Sequence, residues 1–421
     1  MFNLFHKNLN KGVTMKPAKH KFTLLKQVLE NIPSYLVPKL ARKHGVDKKA
    51  RTFSPWSHIV SMIFGQLTHA LSLNDICDTL KFHKGALSTI RYATPPSRNG
   101  LSHANAVRSS AMARELFYET LSHFSSQFPR FGRFDNSFKL PRGIKRTLKI
   151  VDSTTIKLFA NCMNWAKHRL RKAAAKCHLL LDAETFLPTI AIIKNARSHD
   201  CIEARTLCNQ LKDGEIVVFD KAYIDFKHLF ELFERGILWV SRAKSNMAYR
   251  VVKKNKITNK MIIKDAQIKL TGIKTSKEYP EYLRLILADV EIDKKIVRME
   301  FITDDFDLAA ATITDLYKCR WEIETFFKQI KQTLKLSDFL GYSENAVQWQ
   351  IWMALLTYVI LRFMAYLSKW RGTFARLFTT IRGVLWSYFD LYNLLRICCC
   401  GTADNQRKMC MQPQQLYLSL L

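Results

Sequence analysis

The sequence is short of acid. Its 421 residues hold 35 Asp and Glu against 66 Lys and Arg, a formal charge of +31. That excess sets the chain apart from neutral metabolic enzymes and points to a polyanion, or to an anionic membrane, as partner. The shortage is uneven, with 25 basic and 7 acidic side chains in residues 1–150. Long apolar runs are also missing. The longest, from Ile351 to Leu361, stops at Arg362 and reads as a buried core helix rather than a membrane span. The first twenty residues lack the apolar core and small-residue cleavage site of a signal peptide. Ten cysteines are few for this length, and three of them (Cys398, Cys399, Cys400) are consecutive. This suits neither a framework of bridges nor a C-x-x-C zinc site, so reduced thiols in a soluble, intracellular protein are expected. Internal repeats and low-complexity tracts are absent. With 48% hydrophobic and 24% charged residues, a wholly disordered basic tail is excluded as well.

What is present changes character along the chain. Residues 1–20 read as a loose basic arm, and residues 21–125 as a helical domain. Ser54-Pro55 is a cap and first-turn pair, followed by Trp56, Ile59, Val60, Ile63 and Leu67 on one face. Shorter helices are expected around 74–80 and 85–92, then a single helix over 102–121. Two short helices after a longer one allow a helix-turn-helix reading; an ordinary bundle with solvated lysines fits the same pattern. Residues 126–146 read as an irregular basic linker. Strands follow at 147–152, 177–183, 187–194, 215–220 and 237–242, with helices at 200–211 and 226–235. A lysine-rich, β-prone stretch covers 246–305, and helical periodicity returns at 309–334 and 346–397. The order β-β-β-α-β-α-β, then a β-rich insert, then helices, describes a mixed α/β core at 147–345 with a helical C-terminal segment at 346–421.

Two aspartates close predicted strands: Asp152 in TLKIVD and Asp220 in EIVVFD. Strand ends in α/β folds collect chemistry, although an aspartate there is more often a surface cap. A third element accompanies them. Tyr317, Arg320, Glu324, Lys328 and Lys331 are spaced to share one stripe of a helix otherwise covered by Trp321, Ile323, Phe326, Phe327 and Ile330. A carboxylate on such a helix needs a partner or a metal. Intrahelical pairing of Glu324 with Arg320 and Lys328 on a solvated stripe is the plain alternative. Three oxygen donors without Cys/His ligand spacing suit a hard ion, Mg²⁺ or Mn²⁺. Such an ion, beside a basic surface, serves phosphoryl transfer on nucleic acid.

These blocks resemble the DDE transposases. Asp152 in VDSTTIKL, Asp220 in FDKAYIDF, and the Tyr317-x2-Arg320-x3-Glu324-x6-Lys331 signature are similar to the insertion-sequence-4 family in particular. NWAKHRLRKAAAKCHLLLD, Ser198-His199-Asp200 and GYSENAVQWQIWMALLTYVIL add local likeness, so the resemblance runs from about residue 22 to 400. It implies an RNase H-like catalytic core, with the β-rich insertion at about 246–305 between the second aspartate and the glutamate. The activity implied is Mg²⁺-dependent strand cleavage at transposon ends, with Mn²⁺ as substitute, and joining of the 3′-OH to target DNA. A homodimer on double-stranded DNA is expected, in the bacterial cytoplasm and nucleoid, with no membrane partner.

Asp152, Asp220 and Glu324 are then the catalytic metal ligands. Arg320, Lys328 and Lys331 are expected to hold backbone phosphates, and Tyr317 to meet DNA unless it is a core tyrosine. Tyr223 reads as support for the second strand end. Asp182 and Asp200 rank below the triad, and His178 and His199 read as core histidines or polar neighbours of the site. Trp239 reads as core before it reads as a base-stacking platform. Two other functions fit the same residues: a metal-dependent nuclease without strand transfer, and a silent DNA-binding derivative. The second is disfavoured because all three acids and the Arg/Lys pair are present.

Overall fold

Residues 24–127 form helices only: α1 (Leu24–Leu29), α2 (Leu36–Lys43), α3 (Pro55–Thr68), α4 (Leu73–Phe82), α5 (Lys84–Ser88), α6 (Arg98–Val107) and α7 (Ser110–Gln127). The structure, a computed structural model, describes residues 17–48, 50–132, 140–141, 143–158, 162–169, 172–195, 200–292, 294–334 and 340–400. Most of the basic arm, Ser198, His199, linker residues 133–139 and the tail after 400 lie outside the described residues. Ser54 caps α3 by accepting from the Ser57 N–H, with Pro55 in the first turn. The single helix expected over 102–121 is two helices. Arg108 leaves the helical region with ψ 128, and its freed carbonyl accepts from Trp349 Nε1 (2.7 Å) and Asn345 Nδ2 (2.6 Å). Tertiary partners for one carbonyl override a locally favourable helix.

The remainder is built on one mixed sheet. Its strands are β1 (Leu148–Leu158), β2 (Lys167–Arg169), β3 (Lys172–Asp182), β4 (Leu187–Asn195), β5 (Ile216–Phe219), β6 (Leu238–Arg242), β7 (Tyr249–Lys254), β8 (Ile262–Leu270), β9 (Leu283–Ile292) and β10 (Lys295–Thr303). A short helix, α8 (Met163–Ala166), precedes β2; α9 (Asp200–Cys208) and α10 (Phe226–Glu234) cross between strands; α11 (Thr275–Glu278) precedes β9. The neighbour order is β2-β3-β1-β5-β6-β10-β9-β8-β7, and β4 pairs with β3. Among the described strands, only β1–β5 and β5–β6 run parallel. The β-prone stretch therefore extends the same sheet, because β10 pairs with β6.

Alternation along the strands feeds two cores. Val151, Val217, Phe219 and Trp239 face Ala204, Leu207, Leu229 and Leu232 of α9 and α10. Ile150, Ile216, Val218 and Val240 face the other way. On that side lie α12 (Ala310–Lys318), α13 (Glu322–Lys328), α14 (Glu344–Ser368), α15 (Phe374–Gly383) and α16 (Leu391–Cys400), together with the N-terminal helices. The first and last helices of the chain thus share one core with a face of the sheet. α14 is long and apolar enough to cross a bilayer by length and composition, yet 78% of its apolar window is buried inside the protein. Cys77, Cys177, Cys201, Cys208, Cys319 and Cys398 are reduced thiols.

Candidate active site

Parallel pairing of β1 with β5 sets the first two acids side by side. Val151 is the partner of Phe219, so Asp152 and Asp220 are the next residues on two strands running the same way. Asp152 is not at a strand end as expected. Its strand continues to Leu158 through pairing with β3, in which Asp152 faces Leu179. The expectation fails because the antiparallel ladder outlasts the parallel one; the aspartate marks where β5 stops, and β1 goes on.

The third acid arrives on a segment that changes helical type. Tyr317 lies in α12, Arg320 in a 3₁₀ turn at Cys319–Trp321, Glu324 in α13 and Lys331 in a π turn at Gln329–Thr333. The Tyr317 hydroxyl donates to Asp220 Oδ1 at 3.3 Å, and its ring packs 5.0 Å from Phe301. Arg320 spans the other two acids, with Nη1 3.1 Å from Asp152 Oδ2 and Nη2 3.0 Å from Glu324 Oε1. The Arg320 and Asp152 side chains are 10% and 17% exposed, whereas Glu324 is 60% exposed. The stripe therefore faces the strand ends, and the solvated intrahelical pair describes only its outer half.

Burial pushes the Asp152 carboxyl up to about 6. The Ser153 N–H and Arg320 oppose this shift, while the charges of Asp220 and Glu324 add to it, so the three acids sense one another. Burial also lowers Lys331, which lies near Cys177 and Lys157. Lys328 is exposed. Tyr317 is 1% exposed. Its ring on Phe301 and its hydroxyl on Asp220 match the core tyrosine that the sequence left open beside a DNA contact.

A ring of polar groups supports Asp152: Asp200, His178 and Tyr223, which the sequence had singled out, and Ser153 and Lys176, which it had not. Ser153 Oγ donates to Asp200 Oδ1 at 3.1 Å, and Lys176 Nζ donates to Asp200 Oδ2 at 2.7 Å. His178 is fully buried and held neutral, burial lowering it to about 4. The Tyr223 phenol, raised by burial, faces Ser153 and the acids Asp152, Asp200 and Asp220. Pairing puts Ser153 opposite His178 and Thr155 opposite Lys176, a register invisible without the β1–β3 alignment. Asp182 is used elsewhere: it takes Lys149 Nζ at 2.7 Å and caps the turn at Glu184 and Thr185. Trp239 is fully buried, as read.

Among the described residues, no three His, Cys, Asp or Glu side chains converge closely enough to hold a metal ion. The donors are right in kind, all carboxylate oxygens, but Arg320 fills the space between two of them.

Residues 144–360 match the family described as Transposase DDE domain. The chain belongs to the DDE transposase family. Residues 20–90 match a second family, Domain of unknown function (DUF4372). The putative transposase y4zB of Sinorhizobium fredii is 31% identical over 279 residues, 65% of this chain and 73% of that protein. The probable transposase for insertion sequence element IS5377 of Geobacillus stearothermophilus is 30% identical over 222 residues, 52% of this chain and 57% of that protein. Transposase InsG for insertion sequence element IS4 of Escherichia coli is 23% identical over 192 residues, 44% and 42% of the two chains. These bear out the resemblance: this is a transposase of the insertion-sequence-4 type, an enzyme that cleaves and transfers DNA strands. Divalent metal ions are typical of the family.

Proposed function

We propose that Asp152, Asp220 and Glu324 form the catalytic centre and hold Mg²⁺, with Mn²⁺ as substitute, on an RNase H-like core. The observation that carries this is the register: two aspartates at the end of one parallel strand pair, joined to Glu324 through Arg320. The strand run β4-β3-β1-β5-β6, antiparallel and then parallel, supports the fold. Residues 246–305 are its insertion and residues 21–125 its DNA-recognition helices, joined by the 126–146 linker. Residues 346–421 are the C-terminal segment, whose described helices α14, α15 and α16 brace both.

With a divalent ion held there, the chemistry supplied is activation of an attacking oxygen and neutralisation of charge on the scissile phosphate. The protein's own groups do the rest. Asp220 is kept in place by the Tyr317 hydroxyl, and Asp152 by its strand and the adjacent Ser153–Asp200 bond. Asp152, Asp220 and Glu324 would hold that ion; Arg320, which lies on Asp152 and Glu324, would then offer its planar, bidentate cation to a backbone phosphate of the DNA. Lys328 and Lys331 extend that phosphate track along the same segment. Water, and then the freed 3′-OH, is the nucleophile, without a covalent enzyme intermediate. The active form is a homodimer on the transposon ends, in the bacterial cytoplasm and nucleoid.

The test uses full-length Asp152→Ala, Asp220→Ala and Glu324→Ala with end DNA and Mg²⁺. Each is expected to lose cleavage and strand joining while still shifting duplex DNA. Cleavage at the wild-type rate by any of them removes that residue from the centre.

A further inference from the structure

Within and just beyond the residues 20–90 that match the domain of unknown function, the N-terminal helices display aromatic rings that folding does not use. Phe82, the last residue of α4, is 86% exposed, and Tyr92, four residues after α5, is 90% exposed. Tyr92 is also strained. Arg91 and Tyr92 are consecutive, bulky and left-handed, with φ 49 and φ 57. Cβ sterics make this region costly for L-residues other than glycine, and such outliers persist only where surroundings enforce them.

The surroundings here are specific. Arg91 Nη2 donates to Ile32 O at 2.6 Å, and its guanidinium lies 4.7 Å from the Trp56 ring. Trp56 Nε1 in turn donates to Ile90 O at 2.9 Å. Buried Ile90 and Ala93 pin the chain on either side. The clamp therefore spends packing on Arg91 to hold the next ring out in water. A tyrosine that gains nothing from burial, at a position where glycine would relax the backbone, is placed for something outside the fold.

Charge says what that is. No acidic residue occurs from 79 to 114, a stretch that includes Lys81, Lys84, Arg91 and Arg98. Lys81, Lys84 and Arg98 are exposed. A second copy of the same face would bring like charges together, whereas duplex DNA offers phosphates for the cations and a stacked interior for rings. Aromatic and apolar side chains unstack base steps or stack on bases in this setting. We propose that Tyr92, with Phe82 beside α5, is a base-contacting aromatic of the DNA-recognition helices, positioned by the Arg91–Trp56 clamp. This rests on the reading of residues 21–125 as a DNA-binding unit.

The full chain is titrated onto an end-sequence duplex carrying 2-aminopurine at successive positions. Wild type should quench or enhance the probe at one or two adjacent positions. Tyr92→Ala should lose that local signal and weaken binding about tenfold, with the salt slope unchanged because no charge is removed. Tyr92→Trp should restore the signal. Tyr92→Gly should melt no lower than wild type, which separates the effect from misfolding. The triple variant Lys81→Ala, Lys84→Ala, Arg98→Ala should weaken binding and flatten the salt slope. If Tyr92→Ala keeps wild-type affinity and probe signal while the triple variant weakens, the aromatic contact is refuted and the DNA-binding reading stands. If the triple variant also binds as wild type, that reading falls. Loss of a DNA-free dimer in Tyr92→Ala would assign the rings to a protein contact and overturn the proposal.

Discussion

Replacing Asp152 with asparagine should make the protein worse as an enzyme and better as a fold, and pH separates the two effects. Burial raises this carboxyl from 3.8 to about 6 despite the Arg320 contact. The folded state therefore prefers the protonated form. That preference contributes stability fully below the unfolded value and loses it as pH rises through 6. Between those limits the linkage is about 3 kcal/mol, and about 1.5 kcal/mol of it falls between pH 5 and pH 8. The side chain is 17% exposed, so solvent screening takes only a modest part. Asparagine keeps the shape and the acceptor for the Ser153 N–H but does not titrate. Urea denaturation at pH 5 and pH 8 with chelator present, for wild type and Asp152→Asn, gives the double difference in which effects of the overall charge cancel. Wild type should lose about 1.5 kcal/mol more than the variant on going to pH 8, and the variant should not cleave DNA. Equal pH slopes would refute the buried-acid reasoning.

Asp265 and Arg284 form a bidentate pair at 3.0 and 2.8 Å, with side chains 5% and 6% exposed. Asp265→Ala should therefore destabilise by about 3–5 kcal/mol in chemical denaturation, and a paired Asp265→Leu, Arg284→Met replacement should recover most of it. Asp200→Asn breaks the ion pair with Lys176 beside Asp152; it should cost about 1–3 kcal/mol and slow cleavage without changing DNA affinity, read by denaturation, cleavage kinetics and a binding titration. A fragment of residues 21–125 should aggregate or sediment as a loose species, since its apolar faces are built against α14; a monodisperse, cooperatively melting fragment would contradict that.

Much of this was legible beforehand. The strands holding Asp152 and Asp220, the β-rich insert and the helix carrying Glu324 follow from alternation and spacing, because those patterns are local. What was hidden depends on pairing between distant segments. That β1 outruns β5, that Lys176 and His178 stand opposite Thr155 and Ser153, and that Tyr317 turns inward onto Phe301 are consequences of register. The break at Arg108 depends on Trp349 and Asn345, more than two hundred residues away. The same long reach made residues 21–125 look self-sufficient, since no local pattern reveals that α14 completes their core.

The shared core also orders events in time. On the ribosome the N-terminal helices emerge first, yet the apolar partner they need, Glu344–Ser368, is synthesised last of the large elements. Glu324 likewise precedes α14 by only a few turns of chain. Contacts this distant in sequence form slowly and late. A nascent chain thus carries Asp152, Asp220 and most of its basic surface well before it can close the proposed centre. For an enzyme that cleaves and transfers DNA strands, the core shared with α14 ties folding of the first helices to the last third of the chain.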